Sequence, residues 1–214
     1  MTLADIPVNL ITGRRGSGKS SVIRHLLSQR PAEERWAVLA NDVDAGMPPS
    51  VETLDDGVYL SVVVEGCICC SGQLGLRVAL NRLLREARPQ RLLIEASALA
   101  RTPEVLKLLH DRWLAPVLQL RATVVTLDTA QHDRGVITDV LDCERVRHAD
   151  VVAINANAAD ADQVAHALAR NAAVMSPHAQ IVRTRLGQLD RAVLDRPSGA
   201  VGRGITPRFH GDHY

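Results

Sequence analysis

An apolar run, Val8-Asn9-Leu10-Ile11, leads into Gly13-Arg14-Arg15-Gly16-Ser17-Gly18-Lys19-Ser20, and a stretch with helical spacing follows. Strand, glycine-rich turn and helix in that order constrain the fold more than any other feature of the chain. Glycines at these intervals let successive backbone N–H groups turn toward one anion, and the helix adds the positive end of its dipole. A lysine at the seventh position of such a loop reaches terminal phosphates, and the serine after it offers a hydroxyl to Mg²⁺. The pattern therefore predicts a nucleoside triphosphate with Mg²⁺ at the carboxyl end of the first strand. The expected contacts run from Gly13, Arg14, Arg15, Gly16, Ser17 and Gly18 through Lys19, Ser20 and Ser21.

Short apolar runs recur at Val8–Ile11, Trp36–Ala40, Val58–Val64, Leu92–Ile94, Ala122–Leu127, Val151–Ile154 and Gln180–Val182. Helical patterns separate most of them: Ser21–Gln29, Leu74–Ala87, Pro103–Asp111, Val140–His148 and Asp160–Asn171. Pro103 suits a first helical turn, where its missing N–H costs nothing. Alternation of this kind predicts right-handed crossovers and a mainly parallel sheet with helices on both faces, an α/β three-layer sandwich of the P-loop nucleoside triphosphatase type. Ligands in such a fold gather at the carboxyl ends of the strands. Asp44–Gly57, with Gly46, Pro48 and Pro49 ahead of acidic residues, reads as an irregular loop beside the nucleotide.

With 214 residues the chain makes one domain, expected over 1–196, and Pro197–Tyr214 reads as a disordered tail rich in Gly and Pro. His210 and His213 in that tail fit plain disorder better than a metal site. Aromatic residues are only 2% of the chain, so Val, Leu, Ile and Ala must fill the core. A net charge of +1 supplies no broad basic face for nucleic acid or an anionic membrane. No apolar run approaches the roughly eighteen residues of a membrane span, and no secretory leader is visible at Met1-Thr2-Leu3. Four cysteines, three of them clustered, do not make a secreted disulfide framework, so a cytoplasmic location is expected.

Cys67-Ile68-Cys69-Cys70 follows a strand and precedes a helix, which places three thiols in a turn at the phosphate edge of the sheet. Thiolates bind Zn²⁺, Co²⁺ and Cu⁺, and a set of three leaves a position open for an exchangeable ion. Buried packing is the alternative for these sulfurs, and it is the better reading for the lone Cys143. Glu95 ends a strand, from which a carboxylate can hold a Mg²⁺-bound water or simply be solvated. Asp128 is placed similarly. Asp42, after the second strand, can serve either cation or cap a turn.

Taken together, Gly13–Ser20, Gly66-Cys67-Ile68-Cys69-Cys70 and Ile94-Glu95-Ala96-Ser97-Ala98-Leu99-Ala100 with Pro103 resemble the CobW family of metal-chaperone P-loop GTPases, over about residues 6 to 190. That family joins a GxxGxGK[ST] loop, a Gly-Cys-x-Cys-Cys motif, a strand ending in Glu and an Asn-Lys-x-Asp element. The resemblance implies GTP hydrolysis with Mg²⁺ on Ser20 and Glu95, coupled to binding and delivery of zinc or cobalt to a client metalloprotein. Cys69 and Cys70 are the implied ligands, with Cys67 and Asp42 beside them.

Several positions depart from the family pattern. Arg14-Arg15 replace a usual Phe-Leu, adding positive charge that grips phosphate or is solvated. Ala98 replaces the glycine whose N–H senses a γ-phosphate, and Ala40 stands where some relatives have an acidic metal ligand. Asn155-Ala156-Asn157-Ala158 lacks the Lys and Asp of the guanine element, so Asn155 and Asn157 remain as base-side contacts, and weak preference for GTP over ATP is expected. The chain also stops where relatives continue into a second small domain. A degenerate sensor or scaffold without turnover is the alternative function. A small-metabolite kinase leaves the cysteines unexplained. With no water-positioning residue or arginine finger identifiable, turnover is expected to be slow.

Overall fold

Burial with a period of two organises the sheet: Leu92 and Ile94 pack into one hydrophobic cluster while Leu93 between them packs into another. The computed structural model describes residues 4–41, 51–63, 73–157 and 161–199. Its elements are β1 (Ile6–Gly13), α1 (Lys19–Ser28), β2 (Trp36–Asn41), β3 (Val51–Asp55), β4 (Val58–Val63), α2 (Gln73–Ala87), β5 (Arg91–Glu95) and α3 (Thr102–Leu109). After these come β6 (Leu118–Leu120), β7 (Val124–Asp128), α4 (Val140–Arg147), β8 (Val151–Asn155), α5 (Asp162–Met175) and β9 (Gln180–Thr184). Strand order is β3-β4-β2-β5-β1-β7-β8-β9, and β6 pairs with the first half of β1. Every pairing is parallel except β3 with β4.

Register decides which face each helix covers. Ile11 pairs with Val124, and both belong to the cluster that holds Val22, Ile23 and Leu26 of α1 and Val193 and Leu194 of a short 3₁₀ turn. On the opposite face, α2 and α3 bury Leu76, Leu80, Leu83, Val105 and Leu109 against Leu10 and Leu39. There too, α4 and α5 close Val146, Ala165 and Leu168 over Val125 and Val152. The α/β layering read from the sequence is thus present, with α1 on one face and α2 to α5 on the other among the described residues.

Asn9 is a polar residue at a fully buried strand position. Its amide donates to the carbonyls of Ala122 and Leu194, each at 3.0 Å, and its Oδ1 accepts from Arg91 Nη1 at 2.9 Å. All its capacity toward these partners is used to pin the 191–195 turn to β1.

The structure corrects two expectations. Asp44–Gly57 is not irregular throughout, because Val51–Asp55 forms β3, antiparallel to β4. Asp56-Gly57 makes the two-residue hairpin, with Gly57 at φ +77°, a conformation that favours glycine. The Asp-Gly signal was present but masked by the prolines and acids before it, and Glu52 and Asp55 instead mark an exposed edge strand. Of the stretch read as a tail, Pro197 and Gly199 are held against the domain. Pro197 bridges Arg121, and the Gly199 N–H donates to Asp150 Oδ1 at 2.9 Å. The 200–214 part of that expectation, with His210 and His213, lies outside the described residues. The three-residue β6 also went unread, being too short to show a period. No described helix is long and apolar enough to cross a membrane.

Candidate functional site

β1 lies between β5 and β7, so the chain leaves it at the point where the strand order reverses. This is where an open α/β sheet forms its crevice. From Gly13 the backbone curls so that Ser17 N–H donates to Arg14 O at 3.2 Å, and α1 starts immediately after Gly18. Gly18 has φ +96°, and a Cβ there would stand 2.1 Å from the side-chain nitrogen of Asn155. Only glycine fits this position, which places the N-terminus of α1 against β8 and exposes its first N–H groups to the crevice.

Lys19 is mostly buried, and its ammonium donates to Gly13 O at 3.0 Å and Arg14 O at 2.8 Å. The Ser20 hydroxyl donates to Glu95 Oε1 at 2.8 Å. Glu95 is brought there by register, paired with Ile11 of β1 on one side and Ala40 of β2 on the other. A cavity of about 500 Å³ opens over these groups, with Arg15, Gly16, Lys19 and Ser20 on one wall and Glu95, Ala96, Ser97, Ala98 and Leu99 on the other.

A second cavity of about 460 Å³ lies along α1, lined by Gly18, Ser21, Arg24, His25, Asn155, Asn157 and Leu186. Asn155 is buried, donating to Ser17 O at 2.5 Å and accepting from the Thr184 hydroxyl at 2.5 Å. It therefore binds the phosphate loop to β8 and β9. Asn157 Oδ1 accepts the N–H of Leu186 at 2.8 Å and fixes that residue in a left-handed conformation, φ +51°.

Thr126, Gln131 and Leu186 were not read from the sequence. Thr126 Oγ1 meets Ser17 Oγ at 2.6 Å, and Gln131 Nε2 donates to Arg15 O at 2.7 Å. Their roles follow from strand neighbours distant in sequence, which no local motif announces. Asp128 caps the 3₁₀ turn that carries Gln131, its Oδ1 accepting from Ala130 N at 2.8 Å, which is the plain capping role. Cys143 packs partly buried beside the α5 cluster. Cys67, Cys69, Cys70, Asp42 and Ala158 lie outside the described residues. Among the described residues no group of three metal-ligating side chains occurs.

Arg14 is the main surprise. Its side chain, partly exposed, pairs with two carboxylates: Nε lies 2.5 Å from Asp142 Oδ2 and Nη2 lies 3.1 Å from Asp139 Oδ2. Asp142 is fully buried on α4 and also accepts from Arg145 Nη1 at 2.6 Å. His132 completes the cluster, with Nε2 3.3 Å from Asp142 Oδ2 and Nδ1 2.9 Å from Asp128 O. Both imidazole partners are acceptors, so the doubly protonated ring suits them best. Burial by itself pushes His132 down, but the bonds to Asp142 and Asp128 and the Asp142 charge outweigh it and raise its pKa. Burial likewise pushes Asp142 up, and the bonds from His132 and Arg145, with the Arg145 and Arg14 charges, reverse this and lower it.

The signs set a pH window. The His132 contribution to stability is complete below its ordinary 6.5 and is lost as pH rises through the elevated folded value. That of Asp142 is present above its ordinary 3.8 and is lost as pH falls through the depressed one. Melting temperature is therefore expected to decline as pH rises above 6.5, and His132→Gln to flatten that limb. A wild-type profile that stays level from about pH 6 to about pH 9 contradicts the assignment.

The nucleotide-binding-domain model of the CobW/HypB/UreG family matches residues 7–183. The chain belongs to this family. Over 190 residues it is 33% identical to the zinc chaperone YeiR of Escherichia coli, covering 88% of this chain and 58% of YeiR. It is 28% identical over 202 residues to the zinc-regulated GTPase metalloprotein activator 1 of Schizosaccharomyces pombe, covering 88% of this chain and 48% of that one. This CobW-family chain thus spans about half the length of these two relatives. In fold it is similar to the Zn(II)-bound YjiA GTPase of E. coli, with a TM-score of 0.66 at 20% identity, covering 98% of this chain and 68% of YjiA. The hydrogenase maturation factor HypB of Archaeoglobus fulgidus gives a TM-score of 0.58 at 20% identity, covering 84% of this chain and 81% of HypB. The fold is that of the P-loop GTPases.

Proposed function

We propose that this CobW-family chain binds a nucleoside triphosphate, GTP and also ATP, with Mg²⁺, hydrolyses it slowly, and couples that cycle to binding and delivery of a transition metal, zinc first. The observation that carries the nucleotide half is the meeting of Lys19, Ser20 and Glu95 at one cavity above the N-terminus of α1. A cationic group, a helix terminus and a hydroxyl–carboxylate pair are the parts a Mg²⁺-triphosphate needs. Hard oxygen donors suit Mg²⁺, and Ser20 Oγ and Glu95 would hold it, Glu95 through a bound water. When bound, that ion neutralises charge on the phosphate oxygens. Lys19 and the loop amides orient the phosphates, and the base lies along α1 beside Asn155 and Asn157.

For the metal, the proposed ligands are Cys67, Cys69 and Cys70, with Asp42 nearby, and a client metalloprotein is the proposed recipient. The names of the zinc chaperone YeiR and the zinc-regulated GTPase metalloprotein activator support zinc as the first ion to test. Coupling is reciprocal by linkage: if Zn²⁺ tightens triphosphate binding, triphosphate tightens Zn²⁺ binding by the same factor. Calorimetry of a non-hydrolysable GTP analogue with and without Zn²⁺, repeated on Cys69→Ser/Cys70→Ser, is expected to show a Zn²⁺-dependent shift of about fivefold or more that the double variant loses. Equal affinities in all four titrations reject the coupling. Guanine selectivity of about a thousandfold over adenine would reject the shared nucleotide preference.

A sensor without turnover is the second reading. It is favoured by the pairing of Arg14 with Asp139 and Asp142, which offsets the charge of an expected phosphate cation. Phosphate release with Mg²⁺ separates the two.

A further inference from the structure

α4 braces the two walls of the phosphate cavity from behind. Toward the phosphate loop, Asp142 and Asp139 hold the Arg14 side chain, while the Arg14 carbonyl accepts from Lys19 and from Ser17. On the other side, Arg145 donates through Nη2 to the carbonyl of Ala98, and Arg101 pairs with Glu144. The Arg145 side chain is 1% exposed, and its Nη1 is held by Asp142, which is 0% exposed. A series of contacts therefore runs from the Lys19 ammonium to the Arg14 carbonyl, along the Arg14 side chain to Asp142, and through Arg145 to the loop that follows Glu95.

Burying a guanidinium is expensive unless its partners are excellent, and a hydrophobic side chain of similar size commonly serves core packing as well or better. Here the buried charge is directed at a backbone carbonyl in the segment 96–101, outside helix and strand, where the Ala96 N–H donates to Ile11 O, the Ala100 N–H closes a turn on Ser97 O, and Ala98 O between them is held by Arg145. That segment supplies Ala96, Ser97, Ala98 and Leu99 to the wall facing Lys19. A diphosphate in the Gly13–Ser20 loop draws its contacts from the loop and α1. Lys19 and residues 96–99 line the same cavity, so a third phosphate held by Lys19 would be the part of the nucleotide nearest that segment and the part to feel where it is held.

We infer that Arg145 is a positioning residue for triphosphate recognition: with Asp142 it locks the Ala96–Ala100 loop to the phosphate loop and so sets the discrimination between triphosphate and diphosphate. The inference rests on the nucleotide reading above. Its test is the affinity of a non-hydrolysable GTP analogue and of GDP, both with Mg²⁺, for the wild type, Arg145→Lys and Arg145→Met. The lysine keeps a charge beside Asp142, but one ammonium on a shorter, unforked side chain does not span both Asp142 and Ala98 O. Triphosphate affinity is expected to fall roughly tenfold or more in both variants, on the scale of a lost charged hydrogen bond, with GDP affinity within about twofold of wild type. In the unaltered protein, hydrogen exchange of the 96–100 amides is expected to slow with the triphosphate analogue and not with GDP, a readout that needs no variant to fold.

Parallel losses for both nucleotides, or none, make Arg145 a merely structural residue and overturn the inference while the nucleotide reading stands. Equal exchange at 96–100 with the two nucleotides does the same. A wild type that binds neither nucleotide removes the nucleotide reading itself, and this inference with it.

Discussion

Lys19→Ala is expected to lower Mg²⁺-dependent phosphate release from GTP by about a thousandfold, the scale of removing one preorganised charge-stabilising donor. The fold should survive. Lys19 contributes its ammonium to the carbonyls of Gly13 and Arg14 and itself lines the cavity, so water can enter in place of the ammonium when it is gone. The loop's own curl is kept by Ser17, whose hydroxyl donates to Arg14 O at 2.8 Å, and by the glycines. A melting temperature within a few degrees of wild type, with hydrolysis absent, is the anticipated pair of results. Wild-type turnover in Lys19→Ala would place the phosphates elsewhere. Because intrinsic turnover is expected to be slow, the assay has to be single-turnover with excess protein rather than steady-state.

Asp142→Ala is predicted to be the most destabilising single change at the site. Removing the carboxylate leaves the Arg145 guanidinium buried with its main countercharge gone, and takes partners from His132 and Arg14 as well. Breaking a buried ion pair from one side costs about 3–5 kcal/mol. For a chain of this size that lowers the melting temperature by roughly 10 °C. Glu86→Ala provides the contrast, since it and its partner Arg82 are both exposed and such pairs are worth under about 1 kcal/mol. Similar losses for the two variants would mean that the buried cluster is no more than a surface ion pair in energetic terms. The difference decides whether α4 is a rigid brace or a loosely attached helix.

The anchoring of the site is local in sequence, which is why it was legible. Gly13–Ser20 carries its strand before it and its helix after it, and Glu95 ends an apolar run, so a pattern of a few residues specifies both shape and chemistry. The strands were legible for the same reason, since Leu92-Leu93-Ile94 or Val151-Val152-Ala153-Ile154 are uniformly apolar runs that only a sheet buried on both faces accommodates. Where the period was short or overlaid by prolines, as at Leu118–Leu120 and Val51–Asp55, the pattern failed.

The amino-acid sequence by itself determined the layering and the glycine-rich loop between β1 and α1, because each depends on neighbours within a dozen residues. Tertiary structure decided what those groups touch from behind. Arg14 reads from its place in the loop as a phosphate-gripping or solvated charge, and the structure adds its ion pair with Asp142; Asn155 reads as a base-side contact, and the structure adds the bond from its amide to Ser17 O. Arg145, Asp142 and His132 look like ordinary surface polarity on a weakly amphipathic helix and the turn before it. Asp142 and Arg145 stand at helical i,i+3 spacing, but the groups they join lie far along the chain: Ala98 is 47 residues from Arg145, and Arg14 is more than 100 from Asp142. Charge pairing in a dry interior depends on distance in space, which no spacing along the chain encodes.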